Sequence, residues 1–196
     1  MSRQIEIIRQ AIIDHPDNHS YRQKGIVPLF SVSPQAKILV VGQAPARQTH
    51  ELGRVWDDPS GDRLREWMGL SRQVFYETDK IAHLPMDFYY PGKAQTGDKP
   101  PRKGFADYWH PKLLELMPNL QTTILIGTYA QKHYLGRLRK KNLTETVKAY
   151  QSYLPDYFPI VHPSPLNFRW HAKNPWFEDQ VVAELKKMVD SILEEV

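Results

Sequence analysis

Two short stretches carry side chains that chemistry could use. The first is His162-Pro163-Ser164-Pro165-Leu166-Asn167, entered by the apolar and aromatic run Tyr157 to Val161. Each proline fixes its own φ and biases the residue before it towards extended backbone, so the loop is stiff. It presents one imidazole, His162, and one apolar tip, Leu166, at set positions. The second stretch is Gly42-Gln43-Ala44-Pro45, which leaves the buried run Lys37 to Val41. Carboxylates follow at Asp57, Asp58, Asp62 and Asp79. The 196 residues include no cysteine, which removes thiolate nucleophiles, disulfides, iron–sulfur clusters and cysteine-type zinc sites together. His110 with His133, or His15 with His19, lacks the carboxylate or thiolate company of a metal site. No metal or other cofactor is expected.

These stretches need strands to position them. Apolar and β-branched runs predict strands at residues 37–41, 74–81, 122–126 and 158–161. Helical spacing predicts helices at 4–14, 60–70, 108–117, 129–138, 143–153 and 175–195. The alternation predicts a single domain over residues 1–196. Its fold class is a three-layer α/β/α sandwich around a short, mostly parallel, four-stranded sheet. In such sheets the site lies beyond the carboxyl ends of the strands. Residues 42–45, 79–85 and 162–167 would then meet at one edge. Residues 82–103, rich in Pro, Gly, Lys and Tyr, read as a long loop of the kind that is usually functional or mobile.

Taken together, the segments resemble the uracil-DNA glycosylase superfamily. The resemblance rests on Gly42-Gln43-Ala44-Pro45-Ala46 after its strand, then Gly53-Arg54-Val55-Trp56 and Ser60-Gly61-Asp62-Arg63-Leu64. It continues through Thr123-Ile124-Leu125-Ile126-Gly127 with Ala130, and ends at the His162 to Asn167 loop. It implies a DNA glycosylase of base excision repair, hydrolysing the N-glycosidic bond of a damaged base, most simply uracil. By resemblance His162 stabilises the departing base anion, and the Gln43 and Ala44 backbone supplies further donors. Trp56 stacks on the extruded base. Leu166 is the wedge that fills the gap in the duplex. Ser164, Asn167 and Arg169 belong to the DNA-facing loop.

Asp79 falls where relatives carry an asparagine that reads the uracil edge; a carboxylate only accepts hydrogen bonds. Gln43 and Ala44 are uncharged where several branches of the family place a water-positioning carboxylate. One branch with a similar Ala-Pro-Ala motif uses an aspartate just after the stacking aromatic, which points to Asp58 ahead of Asp57. Both aspartates are also ordinary helix-start residues. With no cysteines, the chain falls among the cluster-free branches.

The formal net charge of +4 suits a polyanionic partner without requiring one. Basic and aromatic residues interleave at Tyr89, Tyr90, Lys93, Lys99, Arg102 and Lys103, and again at Arg169, Trp170, His171 and Lys173. Such groups can hold phosphates without reading sequence. The run Arg137, Arg139, Lys140, Lys141 reads as a solvated helix end. No stretch has the length and apolarity to cross a membrane, and the chain reads as a soluble, cytoplasmic monomer whose partner is damaged DNA. Two alternatives stand beside the glycosylase: a nucleic-acid-binding protein of this fold without the chemistry, and an enzyme acting on a free nucleoside.

Overall fold

The computed structural model describes residues 3–194. Its centre is a sheet of four parallel strands in the order β2-β1-β3-β4: β1 (Ile38–Val41), β2 (Ile81–His83), β3 (Thr122–Ile126) and β4 (Tyr157–Ile160). Among the described residues, ten α-helices surround it: α1 (Arg3–Asp14), α2 (His19–Gln23), α3 (Arg47–Leu52), α4 (Pro59–Met68), α5 (Arg72–Glu77), α6 (Phe105–Leu114), α7 (Gly127–Leu135), α8 (Leu143–Lys148), α9 (Phe168–Lys173) and α10 (Ala183–Glu194). A π-helical stretch, Phe177–Val182, leads into α10, so the predicted last helix is two segments. Of its predicted span, Glu195 lies outside the described residues.

The pleat of β1 divides the core. Leu39 and Val41 face one layer, packed with Ile5, Ile8 and Ile12 of α1 and with Phe105 and Trp109 of α6. Ile38 and Val40 face the other, packed with Leu64 and Trp67 of α4, Phe75 of α5 and Leu185 and Val189 of α10. Side chains alternate along a strand, so an unbroken apolar run buried on both faces demands a layer on each side. This is the expected three-layer arrangement, with every pairing among the four strands parallel. Among the described residues no helix is long and apolar enough to cross a membrane.

One strand differs from expectation. Residues 74–77, predicted as the start of the second strand, belong to α5. Ser71 caps it, its Oγ accepting from the Val74 N–H at 3.1 Å. Val74 is exposed and Phe75 is buried, which is how a short surface helix uses an apolar pair. The second strand is Ile81–His83, buried throughout. The helix predicted at 143–153 likewise splits into α8 and a 3-10 turn, Tyr150–Tyr153.

Candidate active site

All four strands point the same way, so their exits share one edge. Gly42 follows β1, Leu84 follows β2, Gly127 follows β3 and Val161-His162 follow β4. The exits are tied to one another. The Gly42 carbonyl accepts from the Met86 N–H at 2.8 Å, and the Gln43 carbonyl from the Asp87 N–H at 3.1 Å. Asp87 itself is fully buried. Its carboxylate is gripped by Arg102, with Nε to Oδ2 and Nη2 to Oδ1 both at 2.8 Å. That pair anchors the long loop, and the Gln43 side-chain amide reaches the Lys99 carbonyl at 3.2 Å.

A cavity of about 480 Å³ opens at this edge. Gln43, Ala44, Trp56, Asp58, His162 and Ser164 line it, joined by Ser60, Pro85, Asp98 and Tyr129. Among the described residues, no lysine or arginine does. A smaller cavity of about 210 Å³ adjoins it on the other side of His162, walled by Gly127, Tyr129, Leu143 and Asn167.

His162 is held by its own loop. Its Nδ1 accepts from the Ser164 N–H at 3.2 Å, and Asn167 Nδ2 donates to the His162 carbonyl at 2.7 Å. A ring nitrogen that accepts carries no proton, so the neutral imidazole carries its hydrogen on Nε2. Burial holds the His162 pKa below its usual value, and the Asp58 carboxylate pulls it part of the way back. The ring is therefore neutral at pH 7 and offers one N–H. Among the described residues, no acceptor meets the Gln43 or Ala44 backbone N–H. Three donors thus stand unspent at one edge.

Trp56 stands beside them. Its ring centroid lies 5.8 Å from that of His162, and the indole presses on Gly42, where a Cβ would come within 2.7 Å of Cζ2. Its backbone is left-handed, φ 57°. For a residue with a Cβ this costs roughly 1–2 kcal/mol, and such outliers gather at functional sites.

The three acidic candidates separate cleanly. Asp57 is bound by Arg72 Nη2 at 2.6 and 2.8 Å, and Asp62 by Arg65. Neither lines the cavity. Asp58 does, while its Oδ1 caps α4 through the Gly61 N–H at 2.8 Å. It serves the helix and faces the cavity at once.

Asp79 is not brought to this edge. Because the strand is residues 81–83, Asp79 precedes it and lies at the opposite end of the sheet, exposed in a separate cleft along β2. At about 3.3 Å per residue, the five steps from Asp79 to Leu84 separate it from the strand exit by on the order of 16 Å. The expected base-edge contact and its acceptor-only limit fall with that placement. The exit of β2 carries Leu84-Pro85-Met86 instead. Leu166 is 83% exposed at the loop tip, and Arg169 is exposed one turn further along in α9.

Tyr129 and Asp98 were missed as site residues. Tyr129 was within reach, since Gly127 closes an evident strand and residues after it must lie at this edge. Asp98 sits in the long loop, whose course nothing local in its sequence dictates.

The solution structure of a candidate uracil DNA glycosylase from Methanosarcina acetivorans is similar to this chain at 14% identity. The match covers 80% of this chain and 93% of that one, with a TM-score of 0.47. Residues 30–186, which hold all four strands and every segment of the site, match the uracil DNA glycosylase superfamily. The chain belongs to that superfamily.

Proposed function

We propose that the protein hydrolyses the N-glycosidic bond of a damaged base in DNA, with uracil the first candidate. The observation that carries this reading is the His162 tautomer. Its Nδ1 is spent on Ser164, which leaves Nε2–H free, and His162 lines the same cavity as Gln43 and Ala44, whose backbone N–H groups are also unspent. Preset donors of this kind stabilise charge that develops on a carbonyl oxygen as the base departs. The C1′–N bond breaks with its electron pair on the base. Water then adds at C1′, and the proton it loses neutralises the departed base anion, directly or through solvent. The Asp58 carboxylate borders the cavity, where it favours the electron-poor sugar and can orient that water. Trp56 stacks on the base, and Leu166 fills the space the base leaves in the duplex. Ser164, Asn167 and Arg169 hold the backbone beside it.

The cavity volume suits a single base, within the ordinary range for small-ligand sites. The test is incubation with single- and double-stranded oligonucleotides bearing uracil, hypoxanthine or xanthine, followed by detection of abasic sites. Release of one of these bases by the wild type and its loss in His162→Ala support the reading. Tight DNA binding with no abasic product for any base would identify a binding protein of the same fold. Turnover of a free nucleoside alone would identify a nucleoside hydrolase.

A further inference from the structure

Trp56 does not keep its left-handed conformation alone. Its carbonyl oxygen is the meeting point of two donors from different helices: Arg65 Nη1 of α4 at 3.0 Å and Tyr76 Oη of α5 at 2.9 Å. The Tyr76 hydroxyl shares its one hydrogen between that carbonyl and the Val55 carbonyl at 3.0 Å, and accepts from Arg65 Nη1 at 3.1 Å. Gly61 closes the third side, where a Cβ would sit 1.7 Å from the Trp56 oxygen.

The clamp is itself built in. Arg65 is 4% exposed, is paired with Asp62, and lies over the Tyr76 and Phe75 rings at 5.4 Å each. Arg54 and Arg72 also lie over the Tyr76 ring, at 5.0 and 5.3 Å. Arg65 and Tyr76 do not line the cavity. What they fix is the peptide whose indole stands against His162 and Gly42. A buried cation and a phenol thus converge on the carbonyl of a residue held at positive φ.

We propose that Arg65 and Tyr76 are positioning residues for the base cavity. They lock the Trp56 carbonyl so that its ring is set in place before a base arrives, which lowers the ordering cost at the reacting centre. This rests on the glycosylase reading above.

The test is a double-mutant cycle on base release at saturating oligonucleotide, with Tyr76→Phe, Trp56→Ala and the pair. Tyr76→Phe deletes one hydroxyl and keeps the ring among its arginines. The expected result is a single-turnover rate about tenfold lower, with DNA affinity and melting temperature little changed. In the Trp56→Ala background the same change should have almost no effect. Arg65→Lys, which keeps a donor, should fall between wild type and Arg65→Met. An equal loss in both backgrounds, or no loss in either, overturns the proposal.

If the wild type releases no base, the glycosylase reading fails, and the clamp is read from the fluorine NMR signal of 5-fluorotryptophan at position 56, assigned by Trp56→Phe. Displacement of that signal in Tyr76→Phe supports the clamp, and an unmoved signal overturns it.

Discussion

The His162 imidazole and the Trp56 indole face one another across 5.8 Å, tilted by 41°, although 106 positions separate them in the chain. One ring follows β4 and the other precedes α4. Neither pairs with the other for local reasons. They meet because the packed layers bring the start of α4 to the exit of β4.

Replacing His162 by Ala should cut base release by about 10²–10³, the usual cost of one preset donor. Thermal stability should change little, since the ring borders a cavity rather than filling the core. Single-turnover kinetics beside a melting curve check both. A variant that melts early and releases base normally would show a structural histidine.

The rate should also depend on pH in a set direction. Burial lowers the His162 pKa, so the imidazole stays neutral from high pH down to some point below the unperturbed 6.5. Protonation there puts a second hydrogen on Nδ1, opposite the Ser164 N–H, and spoils the loop. The acid limb of the rate profile should therefore lie below pH 6.5. A limb centred above that value would contradict the assignment.

Asp58 and Asp57 should behave differently. Asparagine also caps helices, so Asp58→Asn should keep stability within about 0.5 kcal/mol while slowing base release, whereas Asp58→Ala should lose about 1 kcal/mol as well. Asp57→Asn breaks a partly exposed pair with Arg72 and should leave the rate near wild type. Equal kinetic effects at 57 and 58 would remove Asp58 from the site.

Leu166→Ala should separate substrates. At 83% exposure its loss should cost no more than about 0.5 kcal/mol of stability. Base release from a duplex should slow, because nothing then fills the vacated stack, and release from a single strand should not. Equal rates on both substrates before and after substitution would rule out a wedge.

Acid should destabilise the protein through two other histidines. His83 is buried in β2 against the Phe75 ring, and His110 is buried between the Tyr134 hydroxyl at 2.7 Å and the Pro85 carbonyl at 3.1 Å. Burial lowers each pKa from 6.5 to about 4. Between those values the unfolded chain binds protons that the folded chain refuses, so stability falls as pH drops through that window, by a few kcal/mol per group. Urea unfolding at several pH values measures the slope, which His110→Gln should make shallower.

The sequence by itself determined more of this protein than its modest motifs suggest. The runs at 37–41, 122–126 and 158–161 are apolar on both faces, which forces strands with a layer on each side. The two prolines after His162 stiffen its loop whatever surrounds it. Those local constraints placed the fold and the stiff loop that carries His162 and Leu166. The second strand was misread because an apolar triplet beside a capping serine suits a helix as well as a strand, and with it Asp79 was carried to the wrong end of the sheet. Tertiary structure alone decided which aspartate faces the cavity. Asp57, Asp58 and Asp62 are equivalent as helix-start residues, and only the positions of Arg72 and Arg65, brought in by packing, spend two of them. It alone decided the Trp56 carbonyl clamp, because Arg65 and Tyr76 reach that oxygen from two helices. It alone set Asp98 and Tyr129 in the cavity wall, since proximity between distant segments is a property of the packed layers and is written in no single stretch of chain.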